Sequence, residues 1–105
     1  VSQQATDTAR RILDLRESHR DAITENLGRA AGNGYRVLEH LYQHPIVSVN
    51  QVQELIGTTY PAANDLVSNL VSIGILQEFT GRARNRRFRY ESYVKLFQDV
   101  EERVD

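Results

Sequence analysis

The spacing of the apolar residues changes at Gly74, and this change constrains the fold more than any other feature of the sequence. Up to Gly74, apolar residues recur at intervals of three and four, which is typical of helices that bury one face. After it, residues 75–79 and 86–90 follow a period of two, as in the strands of a hairpin. In the second strand Phe88 and Tyr90 share one face, while arginines occupy the other. The sequence therefore predicts helices followed by a β-hairpin.

Capping residues and helix breakers indicate where the helices begin and end. Ser48 and Gln51 have the spacing of a capping box, and Thr59 can cap a helix whose first turn contains Pro61. A turn between helices is expected at residues 32–34, which are Gly-Asn-Gly. The predicted helices are 5–31, 35–43, 48–57, 59–73 and a last helix from about residue 92, with Tyr93, Leu96, Phe97 and Val100 on one stripe.

The predicted order of elements is helix, helix, short strand, helix, helix, hairpin and helix. Two short helices joined by a tight turn and followed by a hairpin are typical of a helix-turn-helix with a wing. The expected fold class is mainly α with a small β-hairpin, a winged helix-turn-helix preceded by a long N-terminal helix. We expect residues 1–33 to form an N-terminal helical segment and residues 34–105 to form the winged helix-turn-helix domain.

Composition and spacing argue against several kinds of chemistry. The chain has no cysteine, which removes disulfides, thiolate metal sites and cysteine nucleophiles, and it has no apolar run near the roughly 18 residues of a membrane span. His40 and His44 have a zinc-like spacing, but no third ligand accompanies them. Ser48 and Ser92 are expected to be helix caps rather than nucleophiles. We expect a cytoplasmic chain with no metal, no cofactor and no membrane contact.

The stretch from residue 45 to 97 resembles the winged-helix domain that follows the catalytic core in Fic-family proteins. Its best match is Glu-Phe-Thr-Gly-Arg-Ala-Arg-Asn-Arg at 78–86, followed by aromatic residues at positions 88, 90 and 93. The other matching residues are Pro45, Val47, Ser48, Val49, Thr59, Pro61, Ala63, Gly74, Ile75 and Leu76.

The resemblance implies a parent protein that transfers AMP from ATP to a hydroxyl side chain of a target protein. The family uses a His-Pro-Phe-x-x-Gly-Asn-Gly-Arg-type loop, with the His as base and the glycine-rich turn binding the anion. Here Gly-Asn-Gly follows Arg-Ala-Ala at 29–31, and His-Pro stands apart at 44–45. Because the sequence begins at Val1 rather than Met, we expect a piece of a longer protein whose catalytic core, with its ATP, is missing here. No AMP transfer is expected from the chain itself.

Five arginines and no acid lie between residues 80 and 90, although the whole chain has a net charge of −1. Guanidinium groups on a hairpin can bind the phosphates of duplex DNA through bidentate hydrogen bonds and counterion release. We expect weak, salt-sensitive and poorly selective binding, because the helix that would enter the major groove carries Asp65 and no basic residue. The candidate nucleic-acid contacts are Thr59, Asn64, Asn69, Thr80, Arg82, Arg84, Asn85, Arg86, Arg87 and Arg89.

Two other interpretations of the arginine cluster stay open at this point. The arginines can dock on protein, whether the parent's own catalytic core, a second copy in a homo-oligomer or a target protein. They can also simply solvate an exposed wing and pair with acids, for which the candidates are Glu78, Glu91, Glu101 and Glu102. A DNA-binding or regulatory module is the first hypothesis, and a protein-docking module is its alternative.

Overall fold

The computed structural model describes residues 2–80 and 86–96, with side chains from residue 7 onwards. Its helices are α1 (Ser2–Leu27), α2 (Ala31–Gln43), α3 (Val49–Ile56) and α4 (Tyr60–Ser72), and a 3₁₀ turn at Gly28–Ala30 joins α1 to α2. Its strands are β1 (Ile46–Ser48), β2 (Gln77–Glu78) and β3 (Arg87–Arg89). Residues 91–96 are also helical, so Ser92 lies inside this last helix rather than capping it, and Phe97 and Val100 of its expected stripe lie outside the described residues.

The three strands form one antiparallel sheet in the order β1-β3-β2. Val47 of β1 and Glu78 of β2 both pair with Phe88 in the central strand β3. The short extended segment expected before α3 is thus the third strand of the sheet, beside the predicted hairpin. The predicted fold class is confirmed: α3 and α4 are the helix-turn-helix, β2 and β3 flank the wing, and a long helix precedes them.

One hydrophobic core joins the helices to the sheet. Phe88 and Tyr90, which the alternation placed on the apolar face of the hairpin, are buried. The C-terminal half of α1 adds Ile23 and Leu27 to the same core. The other buried members are Val37, Leu38, Leu41, Val47, Val49, Val52, Ala63, Leu66, Val67, Leu70, Ile75, Leu76 and Tyr93.

The prediction of a turn at residues 32–34 is wrong, because these residues lie inside α2. The break between α1 and α2 comes earlier, at Gly28, whose φ of +54° is readily adopted only by glycine. Gly34 has a packing role instead, since a Cβ there would lie 2.9 Å from both Ile23 Cγ2 and Leu27 Cδ2. The missing side chain lets α2 approach α1 closely. The predicted boundary between the N-terminal segment and the winged-helix domain therefore lies within α2.

The residues that cap α3 and α4 are those expected from the sequence. Ser48 Oγ accepts a hydrogen bond from the Gln51 backbone N–H at 3.2 Å, and Gln51 Oε1 accepts one from the Ser48 N–H at 2.9 Å. Thr59 Oγ1 accepts a hydrogen bond from the Ala62 N–H at 3.3 Å. Each cap provides a partner for N–H groups that the first helical turn leaves without one. The starts of the two helices are therefore defined by local chemistry.

Candidate interaction surface

Side-chain alternation along β3 gives the sheet two unlike faces. Phe88 is buried in the core, whereas Arg87 and Arg89 lie on the opposite face. Ile46 pairs with Arg89, and the Phe79 N–H donates to the Arg87 carbonyl oxygen at 3.2 Å, so these residues share the face of the two arginines. We name this surface the outer sheet face, and its members are Ile46, Gln77, Phe79, Arg87 and Arg89.

Two apolar side chains of the outer sheet face are uncovered. Ile46 is 43% exposed and Phe79 is 42% exposed. The guanidinium carbon of Arg89 lies 4.6 Å from the centre of the Phe79 ring, which is a cation–π contact. The surface is therefore a mixture of apolar and cationic groups rather than a purely charged strip.

Arg86 is paired within the wing. Its Nε and Nη2 donate to the two carboxylate oxygens of Glu78 at 3.0 and 2.8 Å, and its guanidinium carbon lies 5.1 Å from the centre of the Phe88 ring. These hydrogen bonds lower the pKa of Glu78 and raise the pKa of Arg86. The charge of Arg86 is thus largely compensated by its own carboxylate partner.

The other two described arginines of the wing differ in their surroundings. Arg89 Nε is 3.6 Å from Glu91 Oε2, an ion pair that is too long for a hydrogen bond. Arg87 is exposed, and its side chain makes no ion pair within residues 2–80 and 86–96. The Arg87 backbone N–H donates to Thr80 Oγ1 at 3.2 Å, which engages that hydroxyl inside the wing. Arg87 is the most accessible guanidinium of the described part of the wing.

The predicted contacts on α4 do not form one patch with the arginines. Thr59 uses its hydroxyl to cap the helix. Asn64 is half-buried and Asn69 is exposed, and five residues along a helix place them about 140° apart around its axis. Asp65 is exposed and α4 contains no Lys or Arg. The remaining predicted contacts lie outside the described residues and are Arg82, Arg84 and Asn85.

His19, for which the sequence suggested no partner, links α1 to the sheet. Its Nδ1 lies 2.5 Å from the hydroxyl oxygen of Tyr90. Burial lowers the pKa of His19 and raises the pKa of Tyr90, so a neutral imidazole can accept a hydrogen bond from a protonated hydroxyl. His19 lies four residues before Ile23 and seven after Ile12. That helical spacing is the signal that would have placed it on the buried side of α1.

Two arginines in the second half of α1 face α2, while four acids lie on another side of the helix, where the exposed Arg10 and Arg11 also precede them along the chain. The guanidinium carbon of Arg16 lies 4.0 Å from the ring centre of Tyr42, and that of Arg20 lies 5.0 Å from the ring centre of Tyr35, so both arginines turn towards α2. Acidic residues line a shallow groove on another side of α1, and none of them makes an ion pair within the described part of the chain. We name this the acidic groove, after its members Asp14, Glu17, Asp21 and Glu25.

The described residues contain neither a metal-binding cluster nor a helix that could cross a membrane. His40 and His44 are tilted against each other with ring centres 5.1 Å apart, but no group of three His, Cys, Asp or Glu side chains that could hold a metal occurs in residues 2–80 and 86–96. Within the same ranges, no helix combines the length and apolar character needed to cross a membrane.

No protein-family model matches the chain, and the search of curated proteins found no match to its sequence.

Proposed function

We propose that this chain is a non-catalytic winged-helix module that docks on protein, within a larger protein of the kind that its sequence resembles. The observation that carries the proposal is the contrast between two exposed surfaces. The outer sheet face combines apolar and arginine side chains. In DNA-binding proteins with a helix-turn-helix, the helix equivalent to α4 contacts the bases in the major groove. The exposed side of α4 carries an acid and no Lys or Arg.

The charge of α4 disfavours a role in the major groove. In a DNA-binding helix-turn-helix, the second helix lies in that groove between two rows of phosphates. Affinity for DNA comes largely from Lys and Arg side chains that neutralise phosphates. Residues 46–79 contain neither residue type, and Asp65 is exposed on α4. This helix would therefore bring a negative charge to the phosphates without a compensating cation.

The outer sheet face has the composition of a protein interface. Aromatic and arginine side chains are enriched at such interfaces and carry much of their binding energy. Phe79 offers an uncovered ring on which Arg89 already lies, and Ile46 adds apolar area on the other edge strand. Two of the three described wing arginines have carboxylate partners, which weakens the positive field that DNA steering needs.

The resemblance to Fic proteins supplies the wider context of the proposal. In that context the parent transfers AMP from ATP in a catalytic part carrying the His-Pro-Phe-type loop, and the protein is cytoplasmic. The partner of the module is then the catalytic core, a second copy or a target protein. Two measurements test this context. The sequence upstream of Val1 should contain the assembled loop, and the chain alone should transfer no label from radiolabelled ATP.

Weak binding to duplex DNA through the wing is the second candidate function, and one observation favours it. Arg87 is exposed without an ion pair among the described residues, and it is close in sequence to Arg82 and Arg84. Several guanidinium groups on one loop can contact phosphates with little preference for sequence.

Fluorescence anisotropy with a labelled duplex at low salt separates the two candidates, because electrostatic attraction is least screened there. For a protein-docking module we expect no measurable binding. Binding that weakens for all sequences in the Arg84→Ala/Arg86→Ala/Arg87→Ala variant would instead support the DNA candidate. Each lost phosphate contact should then flatten the slope of log K against log salt by about one unit.

A second triple variant controls for net charge in that titration. Arg10, Arg11 and Arg36 are exposed and lie on α1 and α2, away from the wing. Their replacement by alanine removes the same number of positive charges. If both triple variants lose binding equally, the attraction is a general charge effect, and if only the wing variant loses it, the wing is the binding site.

A further inference from the structure

We infer that the outer sheet face is a self-association surface, and that its occupant is the acidic groove of α1 from a second copy of the chain. The inference rests on the proposed protein-docking function and names the partner. It is carried by the guanidinium of Arg87 and the acids of the acidic groove, which are unpaired within the described part of the chain, and by the matching spacing of the opposite charges.

The outer sheet face has guanidinium donors left for a carboxylate partner. Arg87 is exposed, with no ion pair among the described residues. The Arg89 side chain is 32% exposed, although its Nε is removed from solvent and lies 3.6 Å from Glu91 Oε2. Ile46 and Phe79 provide uncovered apolar area on either side of β3. A fitting partner therefore carries carboxylates next to an apolar side chain.

The α1 helix has that combination on its exposed side. The four acids of the acidic groove are exposed and make no ion pair within the described residues, and two arginines of α1, Arg16 and Arg20, turn towards tyrosines of α2 instead. Leu13 lies one turn before Glu17 and is 63% exposed, more than any other large hydrophobic side chain that the structure describes. Single exposed leucines are common on protein surfaces, but Leu13 lies next to the acids of the acidic groove along α1.

The opposite charges have similar spacings on the two surfaces. Glu17 and Asp21 are four residues apart on a helix, which is about 6 Å along its axis. Arg87 and Arg89 are two residues apart on a strand, which is about 6.6 Å. Two carboxylates of α1 can therefore meet two guanidinium groups of β3 at once, in charge-assisted hydrogen bonds. Leu13, about 6 Å further along the helix, then lies over the apolar part of the sheet.

No ion pair joins the two surfaces within the described part of one chain, so their contact requires a second copy. Ile23 is fully buried on the core side of α1 and holds the helix with its acids outwards. When identical chains associate around a two-fold axis, each copy contributes the same pair of surfaces. The helix-on-sheet contact then occurs twice in one dimer.

Sedimentation equilibrium of the whole chain tests the inference. We expect a reversible equilibrium between monomer and dimer over micromolar to millimolar concentrations. The dissociation constant should rise with salt, because ion pairs near the surface are screened. A chain that stays monomeric at low salt and millimolar concentration overturns the inference.

Charge reversal identifies the surfaces that meet. The double variant Arg87→Glu/Arg89→Glu, and separately the double variant Glu17→Arg/Asp21→Arg, should each weaken dimerisation by at least about tenfold. An equimolar mixture of these two variants should regain dimers, because opposite charges meet again in both contacts. Asp65→Arg reverses an exposed acid on α4, outside both surfaces, and should leave the dissociation constant unchanged.

Two results with the variants overturn the inference, provided that circular dichroism shows both to be folded. One is a dimer that persists in either variant, since it must use other surfaces. The other is a mixture that stays monomeric although the wild-type chain dimerises. Both leave the proposed docking function intact, because that function fails on a different measurement, namely wing-dependent binding of duplex DNA.

Discussion

Replacing Gly34 with alanine tests the close packing of α1 on α2. A Cβ at this position would lie 2.9 Å from Ile23 Cγ2 and Leu27 Cδ2, whereas carbon atoms pack best at about 3.5–4.0 Å. Leu27 can move the end of its side chain. Ile23 is β-branched and fully buried, so its methyl group cannot yield without disturbing its neighbours.

The expected loss of stability is the difference between two opposing effects. Alanine in place of glycine stabilises a helix interior by up to about 1 kcal/mol, while overpacking a core costs about 1–3 kcal/mol. We therefore expect Gly34→Ala to lower the free energy of unfolding by up to about 2 kcal/mol. Gly32→Ala is the matched control, because a Cβ there meets nothing within 4 Å. It should be neutral or stabilising by up to about 1 kcal/mol.

Urea denaturation followed by circular dichroism measures both alanine variants. If the slope m is unchanged, the difference between the two midpoints multiplied by m gives the free-energy cost of the tight packing at Gly34. A Gly34→Ala chain as stable as the Gly32→Ala chain would refute the close approach of α1 and α2. A marked loss in Gly32→Ala would instead argue for the turn that the glycine spacing predicts at 32–34.

Three further predictions concern other contacts. Because burial lowers the pKa of His19 below 6.5, stability from the neutral imidazole is complete above pH 6.5 and is lost as pH falls through the lowered pKa. Thermal melts between about pH 7.5 and 5 should show a larger loss in the wild type than in His19→Gln, and equal losses would contradict this reasoning. Ser48→Ala removes the N-cap of α3 and should cost about 1 kcal/mol in urea unfolding, so an unshifted midpoint would count against the cap. Phe88→Ala should cost about 3–5 kcal/mol because the ring is 1% exposed, whereas Phe79→Ala, at 42% exposure, should cost clearly less in the same assay.

The number of arginines in the wing overstates the positive charge that is left without a carboxylate partner. Glu78 neutralises Arg86, and Glu91 lies close enough to Arg89 to compensate part of its charge. The sequence offered several acids as partners, and the register that pairs Glu78 with Phe88 brought Glu78 beside Arg86. For this reason the same cluster that suggests phosphate binding in the sequence is better described, in the fold, as part of a mixed apolar and cationic face.

Features that depend on near neighbours along the chain can be predicted from the amino-acid sequence. The Ser48 and Thr59 caps involve groups three residues apart, so their geometry follows from the local chain. The alternation of Arg87, Phe88 and Arg89 follows from the pleat of any strand, which is why the apolar face of the wing was predictable. These local signals, taken in order, were sufficient to predict the winged helix-turn-helix.

Features that join residues far apart in the chain depend on how the helices and the sheet pack together. Glycine suits both a turn and a close approach of two helices, and the role of Gly34 was settled by Ile23 and Leu27 on another helix. The hydrogen bond between His19 and Tyr90 joins residues 71 positions apart, so no local pattern could specify it. Such contacts form only when the whole core brings the elements together. The orientation of Arg16 and Arg20 has the same origin, since it depends on which tyrosines of α2 these two arginines meet.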